Sequence, residues 1–392
     1  MGVHLKGERN VFNLYHKRAL FAFALAAVSV SGIAAAASTP QTDHLLQPGP
    51  FQVGEATLPL VDTSRPTPAN GACPATPTRT LTTEVWYPAA DASYNGKLPL
   101  VILAHGLTAN RLQGTYLAQH LASYGYVVAA PDFPLSNGTT NDGSVCFATA
   151  SDVSGQVGDV FYLAAALVSP QIQAIAPFTA LIDPQRKALV GHSLGGTTVA
   201  VAGTYGPSMG VNFDAVVTLA PGSCPLYLPG GAGSALTMPS LIVHGTTDAV
   251  THYINNALPL FQTSQDPKYL VAIENGSHLG FVQTAIAIEQ AYPTVPLDTL
   301  VCGALAPSLA NDPSAAPCQI CNPPYVTTGL QLSATRQQTL TKATVLAFLQ
   351  GYVTCEAHDQ AYLMNQLDNE NSDVTVTYSG DPAKGEAHCE SR

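Results

Sequence analysis

From Leu81 onward the chain switches between two kinds of apolar pattern. "LTTEVWYP" alternates apolar and polar residues, as a half-exposed strand does. "LPLVILAHG" and "YVVAAPD" are short continuous apolar runs, the pattern of a parallel strand buried on both faces. Between them "YLAQHLASYG" has helical spacing and a glycine stop. "SDVSGQVGDVFYLAAALVS" opens on a Ser or Asp cap and continues as a helix. "KALVGH" predicts a strand and "LGGTTVAVAGTYG" a helix of small residues. "DAVVTLAPG", "PSLIVHG" and "KYLVAIENG" predict three more strands, with the helical "HYINNALPLFQ" between the last two and "LGFVQTAIAIEQAY" after them. This alternation predicts an α/β fold: a doubly wound, mostly parallel sheet with helices on both faces. There is no internal repeat.

The flanks are different. Residues 38–80 are rich in Pro and Thr and predict an extended lead-in, with one edge strand near Ala56 to Leu60. "YPTVPLDTLVCGALAPSLANDPSAAPCQICNPP" breaks the alternation and is expected to be an irregular, disulfide-stapled insertion at about 292–330. A last helix, "TRQQTLTKATVLAFLQGYV", closes a domain running over 81–370. The polar tail, 371–392, is expected to pack loosely, with Cys389 able to tie down its end.

At the start, Lys17 and Arg18 precede "ALFAFALAAVSVSGIAAAA", and small residues lead up to Ser38. Residues 1–37 therefore predict a secretory signal peptide rather than a retained anchor, since the stretch is near the lower length limit for spanning and rich in Ala and Ser. No later segment is long and apolar enough to span a membrane. A secreted or periplasmic protein without a stable anchor is expected. Loss of the leader removes four basic residues and one acidic residue and takes the net charge from −11 to −14. Such a chain is a poor partner for nucleic acid or anionic membranes. All eight cysteines fall after the leader, which predicts disulfides without choosing their pairing. "CQIC", Cys318 to Cys321, has the spacing of a redox pair or half a zinc site. It lacks a helix pattern after it and a second pair of ligands, so structural disulfides are expected and no metal or cofactor.

The chemistry centres on a serine. Gly-x-Ser-x-Gly occurs twice, in "GHSLG" around Ser193 and in "GPSMG" around Ser208. Ser193 follows a predicted buried strand and precedes a predicted helix, at the carboxyl ends of the strands where ligands bind. Ser208 follows a helix and leads towards a strand, a plain turn. A serine needs a base, and the base an orienting carboxylate. "LIVHGTTD" delivers Asp248 past one later strand and "LVAIENGSH" delivers His278 past the next. Taken singly, Asp248 could be a helix cap and His278 a surface turn. Asp266 precedes its strand and Glu274 lies within one, so both are weaker acids. His244 is expected to be structural, and His192 to pack or hydrogen-bond beneath the serine. An oxyanion needs two donors. Leu194 N–H, at the first helical turn, is one. The other is expected in "AHGLTANR", from Leu107 N–H with Thr108 next in line and His105 and Gly106 shaping the loop.

These residues resemble the α/β-hydrolase superfamily. More narrowly, "EVWYPA", "LPLVILAHGLTANR", "LASYGYVVAAPD", "GHSLGG", "IVHGTTD" and "GSHLGF" are similar to secreted dienelactone-hydrolase-like esterases, platelet-activating-factor-acetylhydrolase-like enzymes and bacterial polyester hydrolases. The resemblance spans roughly residues 81 to 285. It implies a cofactor-free serine hydrolase of carboxylic esters, with Ser193, Asp248 and His278 as triad and Leu107 and Leu194 as oxyanion donors. The nucleophile is serine where dienelactone hydrolases proper have cysteine. Two places where polyester hydrolases usually carry aromatics read Leu107 and "APGSCPLYLPG", and the single Trp86 is expected in the core. The loops "DFPLSNGTTNDGSVCFATA" and "GSCPLYLPGGAGSALT" and the insertion should rim the site with small, apolar residues. That suits small to medium apolar esters, extending to lipids or aliphatic polyesters. A lactonase or amidase would use the same triad, and a non-catalytic binding protein would need a broken one.

Overall fold

The computed structural model describes residues 40–70, 73–89, 96–138, 152–227, 235–309, 316–321 and 331–380. The leader, residues 139–151 and 228–234 of the two rim loops, Cys146, Cys389 and parts of the insertion lie outside them. In chain order the elements begin α1 (Gln41–Leu46), β1 (Val53–Asp62), β2 (Arg79–Pro88), β3 (Leu98–Ala104), α2 (Thr115–Ser123), β4 (Val127–Pro131), α3 (Val153–Ala166) and α4 (Pro170–Ile175). They continue with β5 (Ile182–His192), α5 (Leu194–Tyr205), β6 (Ala215–Leu219), β7 (Ser240–Gly245), α6 (Tyr253–Thr263) and β8 (Lys268–Ile273). Last come α7 (Ala285–Ala291), α8 (Leu297–Leu309), α9 (Ala334–Leu349), α10 (Ala357–Asn365), α11 (Leu367–Glu370) and β9 (Val374–Ser379).

Among the described residues the strands form one sheet in the order β1-β2-β4-β3-β5-β6-β7-β8-β9. Strands β3 to β8 pair in parallel, and β1, β2 and β9 run antiparallel to their neighbours. Successive strand residues point to opposite faces, so a continuous apolar run feeds two cores at once. Leu100 and Ile102 join Leu189, Val216 and Ile242 under α3, α5 and α6. Val101 and Leu103 join Val190, Val217 and Val243 under α2, α9 and α10. Trp86 belongs to the second core and donates its indole N–H to Glu55 at 3.0 Å.

Three flanking segments are more regular than their sequence predicts. The lead-in holds helix α1 and a ten-residue β1 paired with β2 along its whole length. Its outer edge faces water, so Glu55, Thr57 and Pro59 are tolerated there and blur the strand signal. Within the tail, Val374–Ser379 is not loose but is the last strand, antiparallel to β8. An edge strand with one half-covered face needs few apolar residues, so "VTVTYS" looks polar. The insertion carries helix α8 across "LDTLVCGALAPSL". Its cysteines staple it: Cys224 joins Cys318 and Cys302 joins Cys321. The two cysteines of "CQIC" thus bond to different partners rather than to each other. Cys73 and Cys355 are disulfide-bonded as well.

The lead-in is anchored by charge. Arg79 forks onto Asp159 of α3, with Nε and Nη2 each 2.7 Å from a carboxylate oxygen, and Nη2 also reaches Asp152 at 2.8 Å. Arg65 bridges the same Asp159 to Asp62 at the end of β1. Asp159 is fully buried and Arg79 nearly so. Removing one side of such a pair strands the other charge in the interior. Asp159→Ala is therefore expected to cost about 3–5 kcal/mol, read as a lower urea midpoint. Asp159→Asn, which keeps an acceptor, should cost less.

Candidate active site

Strand β5 ends at His192 and α5 begins at Leu194, so Ser193 alone makes the turn. It does so at φ 56° and ψ −120°, a region that L-residues avoid. The neighbours hold it there. Ser193 N–H donates to Leu219 O at 3.0 Å, and Ser193 O accepts from Thr197 N and Gly222 N, each at 3.1 Å. Two flanking glycines are required by space. A Cβ on Gly191 would lie 2.2 Å from Gly195 O, and one on Gly195 would lie 2.2 Å from Ala104 O. The other match, Ser208, sits in a short 3-10 turn after α5 and bonds back to Tyr205 O at 2.7 Å.

The ends of β7 and β8 bring the other candidates to this turn. His278 Nε2 is 2.9 Å from Ser193 Oγ, and His278 Nδ1 is 2.8 Å from Asp248 Oδ2. Asp248 also accepts from Val250 N–H at 2.9 Å, from Thr251 N–H at 2.7 Å and from the Thr251 hydroxyl at 3.0 Å. Thus Asp248 both caps its own turn and faces His278. His244 is structural in one sense, bonding Thr251 O at 2.5 Å, yet its Nε2 also lies 3.2 Å from Asp248 Oδ2. Burial works against the Asp248 charge, but His278 and the hydrogen bonds from His244 and His278 outweigh it and hold the carboxyl far below its usual range. Burial also works against an imidazolium at His278. The Asp248 charge and hydrogen bond, with a smaller contribution from Asp298, prevail and raise it above the ordinary value. Asp248 is then ionised, Nδ1 carries a proton donated to it, and Nε2 is free to accept the Ser193 proton. Asp266 stands before β8 and Glu274 is exposed beyond it; neither is bonded to His278.

His192 packs against His278. It sits 3.2 Å from His278 O through Nε2, and its ring lies 4.7 Å from the His278 ring. Burial, then the nearby His278, keep it well below the ordinary imidazole range, hence neutral. No sequence signal marks Gln113. Its Oε1 accepts from Gly106 N–H at 2.8 Å while its Nε2 lies 3.2 Å from His192 Nδ1, joining the loop after β3 to the serine turn. His105 shapes that loop by bonding Gly106 O through Nδ1 and accepting from Phe133 N–H through Nε2. Gly106 lies against the serine, since a Cβ there would be 3.1 Å from Ser193 Cβ. Thr108 N–H is committed to Ser136 O at 2.8 Å. Leu107 N–H and Leu194 N–H have no hydrogen-bond partner among the described residues, and Leu194 opens α5, where the helix dipole favours negative charge.

A second buried carboxylate, Asp298 on α8, had no motif to reveal it. Its Oδ2 accepts from Ala249 N–H at 3.0 Å and His278 N–H at 2.9 Å, and its Oδ1 from Leu279 N–H at 3.0 Å. Burial and the Asp248 charge push it up to about 6, against the pull of His278 and its N–H donors. The same helix packs Cys302 and Leu305 against Val250 and Leu107 in a small buried apolar cluster. Among the described residues no group of His, Cys, Asp and Glu is arranged to hold a metal. A hydroxyl bonded to an imidazole, a carboxylate behind that imidazole and unbonded N–H groups alongside can support acyl transfer.

The family described as "PETase: PET hydrolase-like" matches residues 80–292, more than half of the chain. A solved structure, a ferulic acid esterase from Streptomyces cinnamoneus, superposes with a TM-score of 0.59 at 20% identity, over 85% of this chain and 98% of that one. At that identity the likeness is one of fold. No curated protein matches the chain.

The serine turn has a direct test. Gly195→Ala would press a methyl group onto the β3 backbone. It is expected to cost about 1–3 kcal/mol, seen as a lower denaturation midpoint together with loss of esterase activity.

Proposed function

The chain belongs to the PET hydrolase-like family and is a carboxylic ester hydrolase of the α/β-hydrolase fold, and from that premise we propose that Ser193, His278 and Asp248 carry the reaction. The observation that supports this most is the unbroken relay of 2.9 Å and 2.8 Å from the strained Ser193 to His278 and on to Asp248.

In this reading Ser193 Oγ attacks the ester carbonyl carbon as His278 Nε2 takes its proton. Asp248 keeps the imidazole oriented and stabilises the imidazolium. The carbonyl oxygen becomes an oxyanion facing Leu107 N–H and Leu194 N–H. His278 returns the proton to the leaving alcohol as the C–O bond breaks, leaving an acyl-enzyme. Water, deprotonated by His278, attacks that acyl group. The carboxylic acid departs and Ser193 Oγ regains its hydrogen. The buried base and acid and the constrained turn mean that little reorganisation accompanies each proton transfer.

The substrates we propose are uncharged esters with small to medium apolar groups, including lipids and aliphatic polyesters. Half-buried Leu107 follows Gly106, which lies against the serine, and the chain as a whole has few charged residues. The basic and apolar leader, together with the disulfides, supports export to an oxidising compartment. No described helix is long and apolar enough to cross a membrane.

Ser193→Ala should lower kcat on p-nitrophenyl butyrate by about 10⁶-fold and abolish labelling by a fluorophosphonate probe. Labelling that survives the substitution would exclude Ser193 as nucleophile. The base must be neutral to act, and its neighbours raise His278, so kcat/KM should fall on the acid side through a limb above the ordinary imidazole value of 6.5. A pH profile of kcat/KM checks this, and a limb below that value would count against His278 as base.

A further inference from the structure

We propose that Asp298 is a positioning residue for ester hydrolysis: one of its carboxylate oxygens ties the Asp248 loop to the His278 loop, and the carboxylate sets a second negative charge behind the base. The proposal rests on the triad reading above and deepens it.

The geometry is specific. A single atom, Asp298 Oδ2, accepts both from the residue after Asp248 and from His278 itself. The spacing of acid and base along the backbone is thereby fixed through one oxygen, while Oδ1 holds Leu279 at the next position. The peptide of Ala249 is gripped from its other side too, since Ala249 O accepts from Cys321 N–H at 3.0 Å. Both grips come from the insertion, and Cys302–Cys321 links its two parts. Asp298 is 1% exposed, so it has no solvating role at the surface. It also lies beyond residue 292, outside the part of the chain that matches the family. The shared hydrolase frame therefore receives this carboxylate from an element of its own.

The charge is a separate contribution from the clamp. Asp248 on the loop after β7, His278 on the loop after β8, His244 on β7, His192 on β5 and His252 just before α6, which feels Asp248 and His244, are titratable groups around this centre. Of these His192 is neutral, and Asp248 already faces His278 Nδ1. An ionised Asp298 adds to the field that favours the imidazolium formed during attack. Removing that charge makes the imidazolium less favourable, so the pKa of His278 must fall and the acid limb of kcat/KM must move to lower pH.

Two substitutions separate the effects. Asp298→Asn keeps an oxygen for Ala249 and His278 but loses the charge and the bond to Leu279. Asp298→Ala loses everything. Both would be compared with the unaltered chain and with Ser193→Ala, measuring thermal midpoint, kcat and KM for p-nitrophenyl butyrate, and the pH profile. Asp298→Asn is expected to lose about tenfold or less in kcat and Asp298→Ala about 100-fold, with KM little changed, and both should shift the acid limb downward. Folded variants with kcat within about twofold of the original and an unmoved limb would overturn the proposal. So would variants that only unfold, or lose activity in step with stability while the limb stays put, because Asp298 would then be a folding element alone. If Ser193→Ala is inactive while the Asp298 variants behave normally, only this proposal falls. If Ser193→Ala remains active, the triad reading itself falls.

Discussion

A carboxylate without water around it must be surrounded by donors, and Asp248 imposes that demand on the whole upper rim of the sheet. Left alone in the interior, such a charge would cost several kcal/mol. It is met by Val250 N–H, Thr251 N–H, the Thr251 hydroxyl, His278 Nδ1 and, at longer range, His244. These donors come from the loops after two neighbouring strands and from within one of them. Satisfying the charge fixes the tight bend after β7, the orientation of the imidazole and the tautomer that leaves Nε2 facing Ser193. The polar centre is thus an outcome of solvation as much as of chemistry.

The sheet makes that solution available. Parallel strands β5, β7 and β8 end on the same side, so each contributes one residue to a common rim although the residues are far apart in the chain. The serine turn can be strained because its amide and carbonyl are bonded to β6 and its following loop as well as to α5. Gln113 and His192 extend the same bracing to the loop that carries Leu107.

Much of this was legible in the sequence, for a physical reason. Strands buried on both faces must be continuously apolar, so "LVILA", "YVVAA" and "SLIVHG" stand out from their surroundings, and Ser193, Asp248 and His278 each follow such a run. Edge strands lack that constraint. β1 and β9 each bury at most one face, and their threonines, glutamate and proline are indistinguishable from loop composition until a neighbour is known. α8 was hidden differently, by prolines and cysteines that suggest irregularity around a helix of otherwise good formers. Asp298 left no signal at all. Its meaning lies in three backbone N–H groups from distant loops, and a backbone donor has no letter in a sequence.

The pairing of Cys224 with Cys318 and of Cys302 with Cys321 makes two overlapping covalent rings. Together they enclose every peptide bond from residue 224 to residue 321, including those flanking Asp248, His278 and Asp298. A protease that cuts once anywhere in that interval releases no fragment, because one bridge or the other always spans the break. His278, Asp248 and the insertion stay tethered to the sheet that bears Ser193, so a single cut leaves the rim of the site covalently joined.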